Sequence, residues 1–121
     1  MKAIVCEKYG PPSDLVLKEL PDLKPKEKQV VVQVKACSLN FPDTLIIQGK
    51  YQYKPELPFT PGSDIAGKVK WVGEGVKHLK VGDEVFGFVS KGGFAEEVLA
   101  PARNIFPKPP KMDYATGASF L

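Results

Sequence analysis

The sequence is poor in the residues from which metal centres and nucleophilic sites are built. It contains two cysteines, Cys6 and Cys37, one histidine, His78, and one arginine, Arg103. Two cysteines are too few for a four-thiolate zinc lobe, and nothing in the spacing gives the single imidazole a nucleophilic partner. Lysines scattered among acidic residues, without clustered arginines, argue against nucleic acid as a partner. The two thiols are predicted to be free and buried, and His78 to lie on the surface.

Long apolar runs are also missing from the sequence. None approaches the ~20 residues of a membrane span, and the start of the chain lacks the apolar core of a signal peptide. Twelve prolines and eleven glycines interrupt helices and favour turns, which argues against a helical bundle. The sequence therefore predicts one mainly β domain, cytoplasmic and without a membrane partner.

Short segments with strand character, separated by turns rich in glycine and proline, follow one another along the chain. They are Met1–Glu7, Leu15–Leu20, Gln29–Ser38, Asp64–Val72, Lys80–Phe88 and Gly93–Ala100. The β-branched run Gln29–Ser38 is the strongest of these signals. Gly67, inside a strand, indicates that another part of the molecule approaches its backbone closely. Many short strands with little helix predict a small, partly open β-barrel.

Two segments have helical character. In the first, Asn40–Lys50, Pro42 suits a first turn, Asp43 suits the positive end of the helix dipole, and Gly49 can end the helix. The second, Met112–Leu121, begins a helix that has no cap where the sequence stops. We therefore expect the natural chain to continue beyond this sequence.

The start of the first predicted helix is the strongest candidate for a functional site. Asn40 and Asp43 are three residues apart, so they share a helical face directly after a buried strand. An amide there can hold a carbonyl or a ribose hydroxyl, and a carboxylate can orient it. The alternative is structural, because Asn40 can cap the helix while Asp43 completes the first-turn hydrogen bonds. Tyr51 and Tyr53 likewise suit either packing or ligand contact.

A dinucleotide-phosphate site is not predicted within these residues. The nearest match to the glycine fingerprint, Gly73–His78, lacks the third glycine and precedes no helical segment. We interpret it as a turn between strands.

Several ordered segments together carry a family resemblance that covers essentially the whole chain. They are Met1–Val5 with Gly10–Pro12, Val30–Ala36, Gly62–Gly67, Val72–Val76, Lys80–Val85 and Gly92–Glu96. In this order they resemble the N-terminal, GroES-like catalytic domain of the medium-chain dehydrogenase/reductase superfamily. The resemblance implies a mainly β fold, a GroES-like partly open β-barrel with a few short helices. It assigns this domain to residues 1–111, and residues 112–121 to the start of a helix leading to a Rossmann NADPH-binding domain.

The residues at two positions indicate which branch of this superfamily the chain resembles. Asn40 stands where zinc alcohol dehydrogenases have a cysteine, and Ser63 stands where they have a ligand histidine. The four-cysteine lobe is also absent between Val85 and Gly93. The chain therefore resembles the zinc-free, zeta-crystallin-like quinone oxidoreductases. Their pattern N-x-x-D/E-T-Y-I-x-x-G-x-Y is matched over Asn40–Tyr51, with Leu45 in place of the first tyrosine.

The resemblance implies a function and a set of site residues. NADPH is the implied cofactor, with no zinc, and a small-molecule quinone or enone is the implied substrate. Asn40 and Asp43 are the implied catalytic residues, Asn40 and Thr44 contact the cofactor, and Leu45 and Tyr51 line the substrate pocket. The full-length form is expected to be a homodimer, and the 121-residue chain alone to be inactive. Alternatives are an enoyl or enone reductase of the same superfamily and a non-enzymatic GroES-like binding module.

Overall fold

The structure is a computed structural model that describes residues 1–120. Its strands are β1 Lys2–Val5, β2 Val16–Glu19, β3 Gln29–Cys37, β4 Asp64–Val72, β5 Glu84–Phe88, β6 Glu97–Pro101 and β7 Ile105–Pro107. Its helices are α1 Phe41–Ile46 and α2 Tyr114–Phe120. The predicted mainly β class with a few short helices is confirmed. Leu121, the last residue of the predicted terminal helix, lies outside the described residues.

Residues 1–120 form two antiparallel sheets that together make a partly open barrel. One sheet pairs β1 with β2, and the other has the order β6-β3-β4-β5-β7. The backbone of β1 joins the two sheets, because the Ile4 N–H donates to the Phe94 carbonyl (2.8 Å) and the Glu96 N–H donates to the Lys2 carbonyl (3.0 Å). β6 and β7 remain the edges of the larger sheet, as expected for a barrel that is only partly closed.

The core of the barrel is formed by β-branched side chains from the central strands. Val30 and Val32 of β3, Ile65 of β4 and Ile105 of β7 are fully buried in one cluster. Burial of each such side chain stabilises the fold by roughly 1.5–3 kcal/mol. The β-branched run that predicted β3 thus supplies Val30 and Val32, which lie two residues apart on the same face of the strand, to this cluster.

Two smaller apolar clusters pack the two helices against the barrel. Ile46 and Ile47, at the end of α1, pack with Cys6 and Phe59. Ala118 of α2 packs on Ala66 and Phe86. The first cluster positions α1 beside the barrel, and its N-terminus lies at the site described below.

Gly67 is a point of close approach, as the sequence predicts. A Cβ atom on Gly67 would lie 1.9 Å from the carbonyl oxygen of Gln33 on the neighbouring strand. Breaks in register between Val31 and Val32 and between Val34 and Ala36 flank this contact on β3. Glycine is required here because the backbone of β3 fills the space of a side chain.

Two strands, β5 and β6, begin four residues later than the sequence predicts. β5 starts at Glu84 instead of Lys80, because residues 80–83 form a turn in which the Asp83 N–H donates to the Lys80 carbonyl (3.1 Å). The Asp83 carboxylate accepts in return from the Lys80 N–H (3.0 Å). β6 starts at Glu97 instead of Gly93, because the backbone before it pairs with residues 60–62. A local turn thus replaces the predicted ladder before β5, and pairing with a distant loop replaces it before β6.

The two thiols are free and His78 is exposed, as predicted, but the predicted burial holds for only one of the thiols. Cys6 and Cys37 are both free, but only Cys6 is fully buried. Cys37 is half-buried because it lies at the end of β3, beside the cleft. The exposed His78 has its Nε2 at 3.1 Å from the Ala102 carbonyl oxygen. Within residues 1–120, no helix is long and apolar enough to cross a bilayer.

Candidate functional site

A cleft of about 420 Å³ lies where α1 meets the beginning of β4 and the end of β5. Its walls combine amide, carboxylate and hydroxyl groups with apolar and aromatic side chains. The lining residues are Asn40, Pro42, Asp43, Ile46, Tyr51, Tyr53, Ser63, Asp64, Phe88 and Ser90. A few polar groups on a largely apolar wall are typical of a pocket that orients a small organic molecule.

Asn40 and Asp43 form a capping box, which is the structural role that their spacing offers. Asn40 is the N-cap residue of α1, and the Asp43 carboxylate accepts from the Asn40 backbone N–H (2.9 Å). Pro42 fits in this first turn because its missing N–H would have no partner within the helix. At the other end, the Gly49 N–H donates to the Ile46 carbonyl and the Lys50 N–H to the Leu45 carbonyl. These two bonds form a Schellman motif in which Gly49 has φ +70°. The helix α1 itself ends at Ile46, before the predicted end, because this motif takes the chain into a turn.

The side-chain amide of Asn40 has a second set of partners. Its Nδ2 donates to Asp64 Oδ2 (2.5 Å) and to Ser38 Oγ (3.1 Å). The backbone N–H of Asn40 is therefore bound by the Asp43 carboxylate, and its side-chain amide nitrogen is bound by the Asp64 carboxylate. Its position at the cleft wall is fixed by three elements, the end of β3, the start of α1 and the start of β4.

Asp43 is the most buried polar group of the cleft, with a relative exposure of 3%. Burial raises the pKa of its carboxyl above the ordinary value, the Asn40 N–H opposes the rise, and the charge of Asp64 adds to it. Burial, assisted by both carboxylates, also raises the pKa of Cys37 to about 12. The thiol is therefore protonated at neutral pH, which excludes Cys37 as a nucleophile.

The backbone around Ser63 and Asp64 is held by a second loop. The Gly93 N–H donates to the Gly62 carbonyl (3.0 Å) and the Phe94 N–H donates to the Pro61 carbonyl (2.9 Å). The Ser63 carbonyl accepts from the Val89 N–H (2.7 Å). Asp64 thus begins β4 in a fixed position, from which it reaches Asn40.

The structure brings some of the predicted site residues together and separates others. Asn40, Asp43 and Tyr51 all line the cleft, and so does Tyr53. Thr44 and Leu45, which lie on α1, are outside the lining of this cleft in the described part of the chain. The Thr44 hydroxyl donates to the Phe41 carbonyl (2.7 Å).

Several lining residues of the cleft were not predicted from the sequence. Asp64, Phe88 and Ser90 were not candidates, and Ser63 was noted only as a replaced zinc ligand. Nothing near Asp64 in the sequence indicates that it reaches a residue 24 positions away. The one available signal was a carboxylate directly before the apolar residues Ile65–Gly67 at the start of β4.

The polar groups of the cleft fit a planar amide and a sugar. The Asn40 amide and the hydroxyls of Tyr51, Ser63 and Ser90 supply the donors and acceptors that a carboxamide or a ribose needs. Ile46 and Phe88 offer apolar contact for a ring. Among residues 1–120, no group of three or more His, Cys, Asp and Glu side chains has the arrangement of a metal site.

The buried Asp43 gives a prediction about stability and pH. Because its pKa is raised in the fold, wild-type stability falls as the pH rises from 3.8, the ordinary value, through the native pKa. Asp43→Asn removes the buried charge and keeps an oxygen that accepts from Asn40. We expect its free energy of unfolding at pH 7, measured by urea denaturation, to equal or exceed that of the wild type.

Asp43→Ala is the matched control, because it also removes the acceptor. It should lower the free energy of unfolding by about 1 kcal/mol. An Asp43→Asn variant less stable than Asp43→Ala would show that the charge itself stabilises the fold.

Comparison with known proteins places the chain among similar sequences and structures. Residues 26–110 match the alcohol dehydrogenase GroES-like domain. The rat protein named quinone oxidoreductase is 42% identical over 123 residues, covering 98% of this chain and 37% of that protein. The Escherichia coli quinone oxidoreductase solved with NADPH superposes with a TM-score of 0.95 at 32% identity, covering 100% of this chain and 37% of that one.

A differently named protein is equally similar in structure. The human synaptic vesicle membrane protein VAT-1 homolog-like protein superposes with a TM-score of 0.96 at 32% identity, covering 99% of this chain and 39% of that one. The chain thus spans well under half the length of the relatives it matches.

Proposed function

The chain belongs to the alcohol dehydrogenase GroES-like domain family, and from this premise we propose that it is the substrate-side domain of an NADPH-dependent oxidoreductase. The whole protein would pass a hydride from NADPH to a quinone. The observation that carries the proposal is the network at the cleft, in which Asn40 is held between Asp43 and Asp64. Similarity to quinone oxidoreductases, one of them solved with NADPH, supports the choice of cofactor and acceptor.

The proposal includes a second domain. Residues 1–111 would form the GroES-like unit, and the segment from residue 112 onward, which contains α2, would lead into a Rossmann NADPH-binding domain. The relatives' greater length supports this arrangement, since the chain covers 37% of the rat protein. Measuring the mass of the natural protein in its source tests it, and a chain near three times this length is expected. A natural product of 13.3 kDa would favour a binding module instead.

The roles of the cleft residues follow from their chemistry. NADPH supplies the hydride when bound. The Asn40 amide would hold the carboxamide or ribose beside the ring, Asp43 would keep Asn40 in place, and Thr44 would contact the cofactor from the same helix. Tyr51 would line the acceptor pocket, with Leu45 contributing farther along α1. A quinone that accepts a hydride also takes up one proton to become a hydroquinone, and solvent reaches the open cleft to supply it.

Catalysis would rest on proximity and orientation. Asn40 and Ser63 occupy the positions where a catalytic zinc needs cysteine or histidine ligands, and an amide oxygen and a neutral hydroxyl are poor ligands for that ion. Positioning two reactants in contact can supply a large part of a rate enhancement without a Lewis acid. Ile46 and Phe88 would exclude water from the face on which the two rings meet.

The 121-residue chain alone is predicted to be inactive. In this proposal the phosphates of NADPH are bound by the following domain, so the isolated chain lacks most of the cofactor's binding energy. Following the absorbance of NADPH with a benzoquinone should reveal no oxidation above the uncatalysed rate. Robust NADPH oxidation by residues 1–121 would contradict the division of roles between the two domains.

The natural full-length protein provides the direct test of the proposed function. NADPH oxidation should occur with benzoquinones and naphthoquinones and should be slower with enones. Faster turnover with enones or enoyl thioesters would favour the alternative reductase. Failure to bind NADPH at all would favour a non-enzymatic module.

A further inference from the structure

A second, smaller pocket of about 210 Å³ lies away from the cleft. Three separate segments build it: the residues before β3, the loop after β4, and the 3₁₀ turn Ala102–Asn104. Its lining residues are Lys28, Gly75, Val76, His78, Ala102 and Arg103. The pocket thus gathers the only arginine and the only histidine of the sequence, together with a lysine.

In the described part of the chain, the basic side chains of this pocket, Lys28 and Arg103, form no ion pair. The nearby acidic residues Glu27 and Glu74 are exposed and likewise form none in that part of the chain. Cations that converge on a concave surface without counter-charges create a positive potential that attracts anions.

Backbone hydrogen bonds hold the walls of the pocket in place. The Lys28 N–H donates to the Glu74 carbonyl (2.7 Å), and the Ala102 N–H donates to the Lys28 carbonyl (2.9 Å). His78 joins the loop after β4 to the 3₁₀ turn, because its Nε2 donates to the Ala102 carbonyl (3.1 Å). Lys28 itself has φ +60°, a backbone conformation that lysine rarely adopts. The basic side chains therefore start from a preformed frame, which lowers the entropic cost of binding.

We propose that this pocket binds a small phosphate-type oxyanion. The planar guanidinium of Arg103 offers two parallel N–H groups to a tetrahedral anion, and the Lys28 ammonium adds a point charge. The volume admits a phosphate or a phosphomonoester headgroup and excludes a whole dinucleotide. This proposal does not depend on the proposed oxidoreductase function.

Calorimetric titration of the natural full-length protein with inorganic phosphate, at constant ionic strength maintained with chloride, tests the proposal. We expect a dissociation constant of roughly 1 mM, the scale for an anion held by a few exposed charges. Arg103→Gln and Lys28→Gln should each weaken binding about fivefold. Lys77→Gln is the matched control, since it removes the same charge from an exposed residue that lies outside the pocket lining.

The outcomes separate a specific pocket from general electrostatics. Weaker phosphate binding in Arg103→Gln and Lys28→Gln, with unchanged binding in Lys77→Gln, supports the site. Phosphate binding that neither Arg103→Gln nor Lys28→Gln weakens takes place elsewhere in the natural protein and overturns the proposal. Equal weakening by Lys77→Gln, or no binding at about twentyfold higher phosphate, overturns it. In the supporting case, phenyl phosphate that binds as tightly as phosphate identifies a phosphomonoester ligand, and its rejection identifies free phosphate. Unchanged thermal unfolding of the exposed-residue variants shows that the fold is intact.

Discussion

Replacing Asn40 with alanine in the natural full-length protein is expected to lower kcat/KM for quinone reduction by NADPH about a hundredfold. Loss of one well-positioned hydrogen-bonding group in an active site has an effect of this size. The variant loses the amide that Asp64 and Ser38 hold at the cleft wall. Stability should fall by only about 1 kcal/mol, because Asn40 is also the N-cap of α1. Steady-state kinetics and urea denaturation of the same preparation measure the two effects.

Asn40→Ser separates the catalytic role from the capping role. Serine is a good N-cap residue, so Asn40→Ser should retain wild-type stability. It lacks the amide, however, and should be nearly as inactive as Asn40→Ala. Wild-type turnover in Asn40→Ser would show that Asn40 matters only as a cap.

Asp64 provides a further control on the same network. If Asp64 acts by orienting the Asn40 amide, Asp64→Ala should also lower kcat/KM. Combining it with Asn40→Ala should then add little, because the residue that it positions is already gone. Fully additive losses would mean that Asp64 acts independently of Asn40.

Gly67→Ala is expected to cause the largest loss of stability, at least about 3 kcal/mol. The added methyl group would lie 1.9 Å from the Gln33 carbonyl oxygen, a contact that real structures do not tolerate. Backbone of two central strands, β3 and β4, would have to separate to relieve it. Because a marginally stable domain has only about 5–15 kcal/mol in total, many molecules would unfold near physiological temperature. Urea denaturation followed by circular dichroism measures the loss.

Gly82→Ala is the matched control for the effect of a glycine replacement. Gly82 has φ +93°, and a Cβ atom there would meet no other atom within 4 Å. Its replacement should cost about 1–2 kcal/mol, the strain of a left-handed backbone conformation alone. If Gly67→Ala is no more destabilising than Gly82→Ala, the close approach of β3 to β4 is not a constraint on the fold.

Local sequence patterns predicted much of the fold, because they report which side chains are buried and where the chain must turn. The β-branched run in Gln29–Ser38 predicted β3, and the predicted strand Asp64–Val72 coincides with β4. Asn40, Pro42 and Gly49 marked the start and end of the helical segment. Boundaries were wrong where short-range hydrogen bonds replaced the ladder, as in the turn before β5.

Sequence spacing predicted the contact within the site that joins residues of one helix. Asn40 and Asp43 are neighbours on α1, so their capping box follows from their spacing. The sequence also offered Tyr51 and Tyr53, which both line the cleft. The resemblance gave Tyr51 a place in the substrate pocket, but it gave roles to Thr44 and Leu45 as well, which lie outside the lining of the cleft. The side of a short helix that faces a cleft depends on how the helix is docked, not on its sequence pattern.

The sequence by itself determined the mainly β class, the principal strands, the capped helix and the need for glycine at position 67. Tertiary structure alone decided that Asp64 holds the Asn40 amide, and that Lys28, His78 and Arg103 share one pocket. The physical reason is the separation along the chain over which each kind of interaction acts. Hydrophobic periodicity and capping act over a few residues, whereas contacts between distant segments depend on strand register and on the breaks in register of β3.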